Sequence, residues 1–427
     1  MGTVIRNVLV WLPPPRAAVR ADIRFVGNTI AAVGAVETTT DAEDTIVNGD
    51  GRLAIPGLVN SHTHVAMSLL RGVGDDAPLD VWLEDHIWPL ERRLSEEDIY
   101  WGTLLGLAEM IRSGTTQIAD MYFHVDAVGR AVQEAGIRAT LGYGVVAERL
   151  DEHGRRELDL TEATIDRWQN AAKGRIQTAI CPHAPFTCGE DVWRAAVRLR
   201  ERYNVPIHTH LAETKKEVDD WTRTHKESPA CSLSRFGVFA GATIAAHCVH
   251  LSREDIQVLA KHRVAVVHCP SSNAKLASGV APVVDMLREG VAVALGTDGA
   301  ASNNNLDLAR EMRMALMLGK LTSKDATALT ADQAMTMATV NGGRALGTPT
   351  GTLAAGDRAD IVLVDLDRVH TLPVRDPASS MAYAVQPQNV ADVIIDGQWV
   401  MRDGELLTID EGAVKQETSR RAQRLDH

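Results

Sequence analysis

The sequence contains little cysteine. Its five cysteines are an odd number in a chain of 427 residues, and no two of them form a Cys-x-x-Cys pair. This usage indicates neither a disulfide framework nor a zinc site built from thiolates. The amino-terminal stretch MGTVIRNVLVWL has no basic segment ahead of its apolar residues, so no secretion signal is predicted. We therefore expect a protein of the reducing cytoplasm.

Long apolar runs and an excess of basic residues are also missing. No hydrophobic stretch approaches the roughly 18 residues that a membrane helix needs, so no membrane partner is expected. Lys and Arg number 44 against 56 Asp and Glu, which gives a formal charge of −12. An acidic chain repels phosphate backbones, and this excludes a nucleic-acid partner in favour of small molecules. Hydrophobic residues make up 45% and charged residues 23%, the mixture of a folded globular protein rather than a disordered one.

Both ends of the chain have the pattern of short strands separated by turns. TVIRNVLVWL, ADIRFVGNTIAAVG and DTIVNGDGRLAIPG show it near the amino end, and GDRADIVLVDLD and NVADVIIDGQWVMRDGE show it near the carboxyl end. We predict that residues 1–56 and 351–427 together form one small β-sandwich, the second segment ending in a helix. The two segments flank a central domain over residues 57–350.

In the central segment, short β-branched runs alternate with helical stretches. GRIQTAICPH, VPIHTHL, TIAAHCVHL, VAVVHCPSS and VAVALGTDG are the clearest runs. Continuous apolar strands between amphipathic helices indicate a parallel sheet covered by helices. The length suits a (β/α)₈ barrel of the TIM type, and the fold class predicted is α/β. A doubly wound sheet is the competing architecture, but no Gly-x-Gly-x-x-Gly follows the first strand.

The strongest chemical signal is the pair His62 and His64 directly after the apolar run AIPGLVNS. Two residues apart on a strand, both side chains point to one face, so both imidazoles can reach one metal ion. Alone, such a pair is a weak signal, because histidines two apart arise by chance.

Three further strand-like runs end in residues that bind metals. His210 ends VPIHTHL, His247 lies in TIAAHCVHL, and Asp298 ends VAVALGTDG. Active sites of barrels are assembled at the carboxyl ends of the strands. Three histidines and one aspartate with a spare coordination position make a hydrolytic metal centre. Glu213, three residues after His210, places a carboxylate over that centre, where it can carry a proton.

These motifs resemble a known family. GLVNSHTHVAMSLLRG, HLAET, AAHCVHL, HCPSSN and LGTDGAASNNN are similar to the amidohydrolase superfamily, and within it to the branch of methylthioadenosine and S-adenosylhomocysteine deaminases. The resemblance runs from Leu53 to at least Leu353. It implies one divalent ion per chain, usually zinc, with iron and manganese as the other candidates. Members with two metal ions use a bridging lysine on the fourth barrel strand, and GRIQTAICPH has none.

The resemblance also implies roles for single residues. The metal ligands would be His62, His64, His210 and Asp298. The catalytic residues would be Glu213, His247 and Asp298, with His247 beside the metal-bound water and its status as a ligand left open. Glu213 would carry protons from the water to the purine ring nitrogen, with help from Asp298, and attack at C6 would expel ammonia. In addition to Glu213 and Asp298, the substrate-binding residues would be Glu91 on the ribose hydroxyls, His183 on a purine ring nitrogen, and Arg156.

The sequence departs from the branch at one place. Relatives that accept S-adenosylhomocysteine often have an arginine on the third strand that meets the carboxylate of the amino-acid tail, and Tyr143 occupies that position here. Arg156 aligns with a second such arginine, and Arg149 and Arg155 are alternatives. Recognition of a charged tail is therefore open.

We expect hydrolytic deamination of an adenosine-type nucleoside, namely 5′-methylthioadenosine, S-adenosylhomocysteine, adenosine or 5′-deoxyadenosine, by a homo-oligomer. The alternative is a deaminase or chlorohydrolase that acts on another purine, a pterin or a triazine. A ribose-free ring has no diol for Glu91 to meet, which separates the two. A third hypothesis is a relative that kept the barrel without catalysis, and the filled ligand positions argue against it.

Overall fold

The computed structural model describes residues 2–36 and 44–425, so the two predicted terminal segments extend slightly beyond the described residues. The strands are β1 (Thr3–Val10), β2 (Val19–Val26), β3 (Thr29–Gly34), β4 (Thr45–Asn48), β5 (Arg52–Pro56), β6 (Leu58–Thr63), β7 (Thr115–Tyr122), β8 (Arg138–Val145), β9 (Ile176–Thr178), β10 (Cys181–Pro182), β11 (Ile207–Leu211), β12 (Thr243–His247), β13 (Ala265–His268), β14 (Ala292–Leu295), β15 (Ile361–Asp365), β16 (Val390–Ile395), β17 (Gln398–Arg402) and β18 (Glu405–Leu406).

The α-helices are α1 (Leu79–Val81), α2 (Trp88–Glu91), α3 (Glu96–Arg112), α4 (Val125–Ala135), α5 (Glu152–Trp168), α6 (Ala171–Gly174), α7 (Glu190–Tyr203), α8 (Lys215–His225), α9 (Pro229–Arg235), α10 (Arg253–His262), α11 (Pro270–Lys275), α12 (Val283–Arg288), α13 (Ala300–Asn303), α14 (Leu308–Ser323), α15 (Ala331–Ala338), α16 (Val340–Ala345), α17 (Pro377–Tyr383) and α18 (Glu411–Leu425). Short 3₁₀ turns cover Val65–Leu70, Val238–Ala240 and Pro387–Asn389, and a π-helical stretch covers Trp82–Ile87. No helix in the described part of the chain is long and apolar enough to cross a membrane.

Strands β6 to β14 form the predicted (β/α)₈ barrel. All their pairings are parallel, in the orders β6-β7-β8-β10 and β11-β12-β13-β14, and β9 also pairs with β8. Short β9 and β10 therefore share the fourth strand position. Every residue of β6, β7, β11 and β12 is buried, as expected for strands covered on both faces.

Two contacts close the barrel. A parallel bridge between Ile180 and Ile207 joins the two groups of strands. On the other side, the backbone N–H of Asp298 donates to the carbonyl of His62 at 3.1 Å, which connects the end of the last strand to the first. Closure therefore brings two of the predicted metal ligands together.

The strands of both chain ends form a single sheet beside the barrel. Its order is β18-β17-β16-β15-β5-β1-β2-β3, with β4 paired to β1, so β5 and β15 join the two ends. This sheet encloses its own apolar core, which includes Ile5, Ile23, Phe25 and Ile361. The predicted fold class, an α/β barrel of the TIM type with a small β-sandwich built from both termini, is confirmed, and the strands of that β-sandwich are joined in one hydrogen-bonded sheet.

Buried ion pairs attach the terminal elements to the barrel. Arg138, at the start of β8, donates to the carboxylates of Asp360 and Asp396 next to β15 and β16. Asp98, at the start of α3, accepts from Arg421 and Arg424 of α18, which places the predicted terminal helix against α3.

Candidate metal-dependent active site

Five predicted site residues meet at the carboxyl ends of the barrel strands. His62 lies on β6, His64 directly follows it, His210 lies on β11, His247 ends β12, and Asp298 follows β14. Their side chains are mostly buried, with His64 the most exposed at 15%. The parallel arrangement of the strands explains why these residues lie together, because all the strands have their carboxyl ends at the same edge of the barrel.

Four donor atoms of this cluster surround one point. His64 Nε2 lies 3.2 Å from His210 Nε2 and 3.4 Å from Asp298 Oδ1, and His62 Nε2 lies 3.5 Å from the same oxygen. Ligands held 2.0–2.1 Å from a tetrahedral zinc ion are separated by about 3.3–3.4 Å. The observed separations therefore match the edges of such a site.

The hydrogen bonds of the other ring nitrogens fix the tautomers. His64 Nδ1 donates to the carbonyl of Met121 at 2.6 Å, and His210 Nδ1 donates to the carbonyl of His183 at 2.7 Å. With both protons on Nδ1, the two Nε2 atoms face each other as lone pairs, which only a shared cation stabilises. The side chains present thus fit a divalent metal ion.

His62 is oriented by a histidine behind it. His62 Nδ1 lies 2.9 Å from His208 Nε2, while the buried His62 Nε2 has no hydrogen-bond partner. Burial lowers the pKa of His62 to about 4, so the ring is neutral and offers a lone pair at neutral pH. His208 therefore supports the ring of His62 from the side opposite the metal-binding atoms.

Two serines hold the aspartate of the cluster. Asp298 Oδ2 accepts hydrogen bonds from Ser272 Oγ and Ser302 Oγ, both at 2.7 Å, which leaves Oδ1 facing the histidines. Asp298 has a left-handed φ of 61°, and His247 has one of 71°. Such backbone strain in non-glycine residues costs about 1–3 kcal/mol each and is concentrated at functional sites.

Glu213 and His247 lie together beside the metal-binding atoms. Glu213 Oε2 is 3.7 Å from His247 Nε2, and Glu213 is only 7% exposed. Burial, followed by the nearby charge of Asp298, raises the pKa of Glu213 to about 8. A carboxyl group with a pKa near neutrality can both accept and donate a proton.

The contact of His247 with Asn273 bears on its ligand status. Asn273 Nδ2 lies 2.9 Å from His247 Nδ1, so the amide donates to that nitrogen and the imidazole proton is on Nε2. His247 then presents an N–H to the cavity, in contrast to the lone pairs of the other three histidines. This arrangement suits a hydrogen-bond donor rather than a metal ligand.

A cavity of about 90 Å³ lies over this cluster. Leu79, Leu83, Trp82, Trp88 and Phe186 contribute an apolar surface to it, and Glu91, Tyr122, His183 and Ser302 are among its polar groups. Glu91 accepts a hydrogen bond from Tyr122 Oη at 2.6 Å, and burial raises the pKa of Glu91. His183 Nδ1 lies 3.0 Å from Thr187 Oγ1, and burial lowers the pKa of His183 to about 3, so its ring is neutral.

The structure does not bring every predicted residue to the cavity. Arg156 lies on the outer surface of α5, where its side chain is 68% exposed and 3.4 Å from Glu152. Tyr143 donates to Glu157 at 3.1 Å. Neither Arg156 nor Tyr143 is among the residues that line the cavity.

Sequence reasoning missed several residues of the site. Tyr122, Ser272, Asn273 and Ser302 were not predicted, although Ser272 and Asn273 lie within the motif HCPSSN and Ser302 within LGTDGAASNNN. The motif was a signal for these three residues. No comparable pattern marks Tyr122, which is an aromatic residue at the end of a buried strand.

The chain is similar to known proteins over its whole length. The sequence model of the amidohydrolase family matches residues 53–400. A 5-methylthioadenosine/S-adenosylhomocysteine deaminase of Thermoanaerobacter pseudethanolicus is 44% identical over 100% of this chain and 99% of the relative. A 5′-deoxyadenosine deaminase of Methanothermobacter thermautotrophicus is 46% identical over 92% of both chains.

Solved structures share the fold. The crystal structure of an adenosine deaminase from Xanthomonas campestris with bound zinc superimposes with a TM-score of 0.94 at 35% sequence identity, covering 99% of this chain and 98% of the other.

Proposed function

Because the chain belongs to the amidohydrolase family, we propose that its cavity catalyses the hydrolytic deamination of an adenosine-type nucleoside to the inosine analogue and ammonia. One observation carries the proposal: four metal-binding atoms converge at the floor of a cavity that also contains Glu213 and, as a second carboxylate, Glu91. The names of the two relatives support the substrate class. One acts on methylthioadenosine and S-adenosylhomocysteine, the other on 5′-deoxyadenosine.

His62, His64, His210 and Asp298 would hold one divalent ion. We propose zinc, with iron and manganese as the other candidates, because three imidazoles and one carboxylate suit a borderline cation. When bound, the ion supplies Lewis acidity that brings the pKa of a water molecule towards neutrality. The fourth-strand segments β9 and β10 contain no lysine that could bridge a second ion.

Glu213 carries the proton in the proposed mechanism. Its carboxylate takes a proton from the attacking water and gives it to the purine ring nitrogen, which makes C6 electrophilic. His247 orients the water through Nε2–H, and Asp298 assists as a second acceptor. The water oxygen bonds to C6, and the deprotonated Glu213, with Asp298 as the second acceptor, takes the remaining proton of the new C6 hydroxyl and gives it to the amino group. The C6–N bond then breaks, which releases ammonia and leaves the 6-oxo purine of the inosine analogue.

Glu91 and His183 hold the substrate. A carboxylate accepts two hydrogen bonds from a vicinal diol, so Glu91 recognises the ribose 2′ and 3′ hydroxyls. His183 contacts a purine ring nitrogen. Leu79, Leu83 and Phe186, which line the cavity, provide apolar contact with the substrate.

The candidate nucleosides differ in their 5′ substituent. Tyr143 stands where relatives have an arginine for a charged tail, and its hydroxyl donates to Glu157, so this position provides no cation for the carboxylate of the tail. Arg156 points away from the cavity on α5. We therefore propose that an uncharged 5′ group is favoured over a zwitterionic homocysteine tail.

Ammonia release from a panel of compounds tests the proposed function. The metal-loaded protein is offered adenosine, 5′-deoxyadenosine, methylthioadenosine and S-adenosylhomocysteine, and in parallel adenine, guanine, a pterin and a chlorotriazine. Ammonia is expected from the nucleosides, with a kcat/KM well above that for free adenine. Ammonia from guanine or the pterin alone, or chloride from the chlorotriazine alone, would contradict the proposal.

We also propose that the protein is cytoplasmic. All five cysteines are free thiols, and four of them are buried. That usage suits a reducing compartment. The homo-oligomer stays a prediction, which light scattering coupled to size-exclusion chromatography measures directly.

A further inference from the structure

Tyr122 joins the barrel to the segment that covers the cavity. Its ring is 4% exposed at the carboxyl end of β7, and its hydroxyl donates to Glu91 Oε1 at 2.6 Å. Glu91 ends the short helix α2, which follows the π-helical stretch Trp82–Ile87 outside the barrel. This hydrogen bond therefore connects a barrel strand to an irregular helical segment.

The hydrogen bond constrains the carboxylate of Glu91. A glutamate side chain has three rotatable bonds, and fixing a long side chain costs up to about 2 kcal/mol of conformational entropy. The hydrogen bond from Tyr122 fixes the Glu91 side chain before the substrate binds, so less conformational entropy is lost on binding. Within the described residues, Tyr122 donates only to Glu91 Oε1 and no protein group donates to Oε2, and Glu91 is one of the residues that line the cavity.

The charge state of the pair supports the same role. Burial raises the pKa of Glu91, and the hydrogen bond from Tyr122 opposes that rise, so the tyrosine favours the anion. Burial and the Glu91 charge raise the pKa of Tyr122 well above its usual value, so the hydroxyl keeps its proton and remains a donor.

We propose that Tyr122 is a positioning residue that orients Glu91 towards the ribose diol and thereby sets the selection of ribonucleosides over deoxyribonucleosides. The inference rests on the proposed function, in which Glu91 meets the diol. It adds a residue outside the recognised motifs and predicts that its effect passes entirely through Glu91.

The test compares kcat/KM for adenosine, 2′-deoxyadenosine and 3′-deoxyadenosine in four metal-loaded proteins: wild type, Tyr122→Phe, Glu91→Ala and the double variant. In Tyr122→Phe the preference for adenosine should fall about 5- to 30-fold, because the substrate must then order the Glu91 side chain at a cost of about 1–2 kcal/mol. The fall should lie mainly in KM for adenosine, because the diol is bound alike before and during the reaction. In the Glu91→Ala background, Tyr122→Phe should change the preference no further.

Tyr203→Phe is the matched control, since Tyr203 donates to Glu162 at 2.8 Å on the outside of the barrel. It should keep the wild-type preference. Metal content and Tm are measured for every variant. A Tyr122→Phe protein with a lower Tm or less metal but an unchanged preference assigns Tyr122 a structural role and overturns the proposal.

Other outcomes separate the inference from the function. If the wild type deaminates adenine nucleosides but Tyr122→Phe keeps the full preference for adenosine, the inference is overturned and the proposed function stands. The same holds if the wild type has no preference for adenosine over the deoxynucleosides. A further fall in the Glu91→Ala background shows that Tyr122 acts without Glu91 and also overturns it. A wild type that releases no ammonia from any nucleoside overturns both.

Discussion

Glu213 is the residue on which proton transfer depends, and its conversion to glutamine isolates that role. Glu213→Gln keeps the shape of the side chain and one acceptor oxygen but cannot carry a proton. We expect turnover to fall by about 10²–10⁴-fold. Metal content should not change, because the metal-binding atoms belong to other side chains. Steady-state ammonia release and elemental analysis of the same preparation measure both quantities.

Glu152→Gln is the control for this change, since Glu152 is 91% exposed on α5. It should retain wild-type turnover. Near-normal turnover in a metal-replete Glu213→Gln protein would remove Glu213 from the mechanism.

At the scale of single residues, the sequence predicted the side chains that belong to repeated chemical patterns. His62 and His64 were recognisable because period-2 spacing puts both on one face of a strand. Tyr122 was not, because its role depends on which distant side chain it reaches. Tyr122 donates to Glu91 at 2.6 Å, and this contact between residues 31 positions apart is made by the tertiary fold.

At the scale of elements, the ion pairs of Arg138 determine how firmly β15 and β16 hold to the barrel. Arg138 and Asp360 have side chains that are 6% and 2% exposed. Arg138→Ala removes the buried cation that pairs with both carboxylates, so the free energy of unfolding should fall by about 3–5 kcal/mol. Arg156→Ala removes an exposed pair instead and should change it by less than about 0.5 kcal/mol. Urea denaturation measures the free energy of unfolding of both variants. Equal losses in Arg138→Ala and Arg156→Ala would contradict the conclusion that the buried ion pairs attach β15 and β16 to the barrel.

Helix α14 carries a buried carboxyl group with a testable pH dependence. Glu311 accepts from the backbone N–H of Ser271 and from Asn303, and burial raises its pKa from 4.5 to about 7. Between these values the unfolded chain has lost the proton and the folded protein keeps it. Stability should therefore fall as pH rises from about 4.5 to 7 and then level off.

Glu311→Gln removes this titration. The difference in unfolding free energy, variant minus wild type, should increase across that pH window when it is measured by urea denaturation. A difference that does not vary with pH would show that Glu311 has an ordinary pKa in the folded protein.

The sequence predicted strands and helices where one hydrophobic pattern continued over many residues. The alternation of buried strands and amphipathic helices indicated a barrel, and the structure has one. The division of the fourth strand position between β9 and β10, and the π-helical stretch Trp82–Ile87, had no such signal. Irregular segments of this kind follow from contacts with the rest of the fold, which local periodicity does not record.

At the scale of the whole molecule, metal removal should affect both activity and stability. Purified protein should contain about one divalent ion per chain, and less in His62→Ala or Asp298→Ala. A chelator should abolish ammonia release and lower Tm, because an ion bound only by the folded state stabilises it. Zinc added back should restore both. His153→Ala, at an exposed histidine, should keep the ion, and two ions per active chain would contradict the single-metal site.

The closure of the barrel between its first and last strands also has a consequence for biosynthesis. Thr63 Oγ1 donates to the carbonyl of Asp298 at 3.1 Å, and these residues are 235 positions apart in the chain. At about 5–20 residues per second, a ribosome needs about 10–50 s to make the intervening segment. Throughout that interval β6 carries an unpaired edge and two histidines without their aspartate. The nascent chain therefore cannot complete the proposed metal site until most of the protein has been translated.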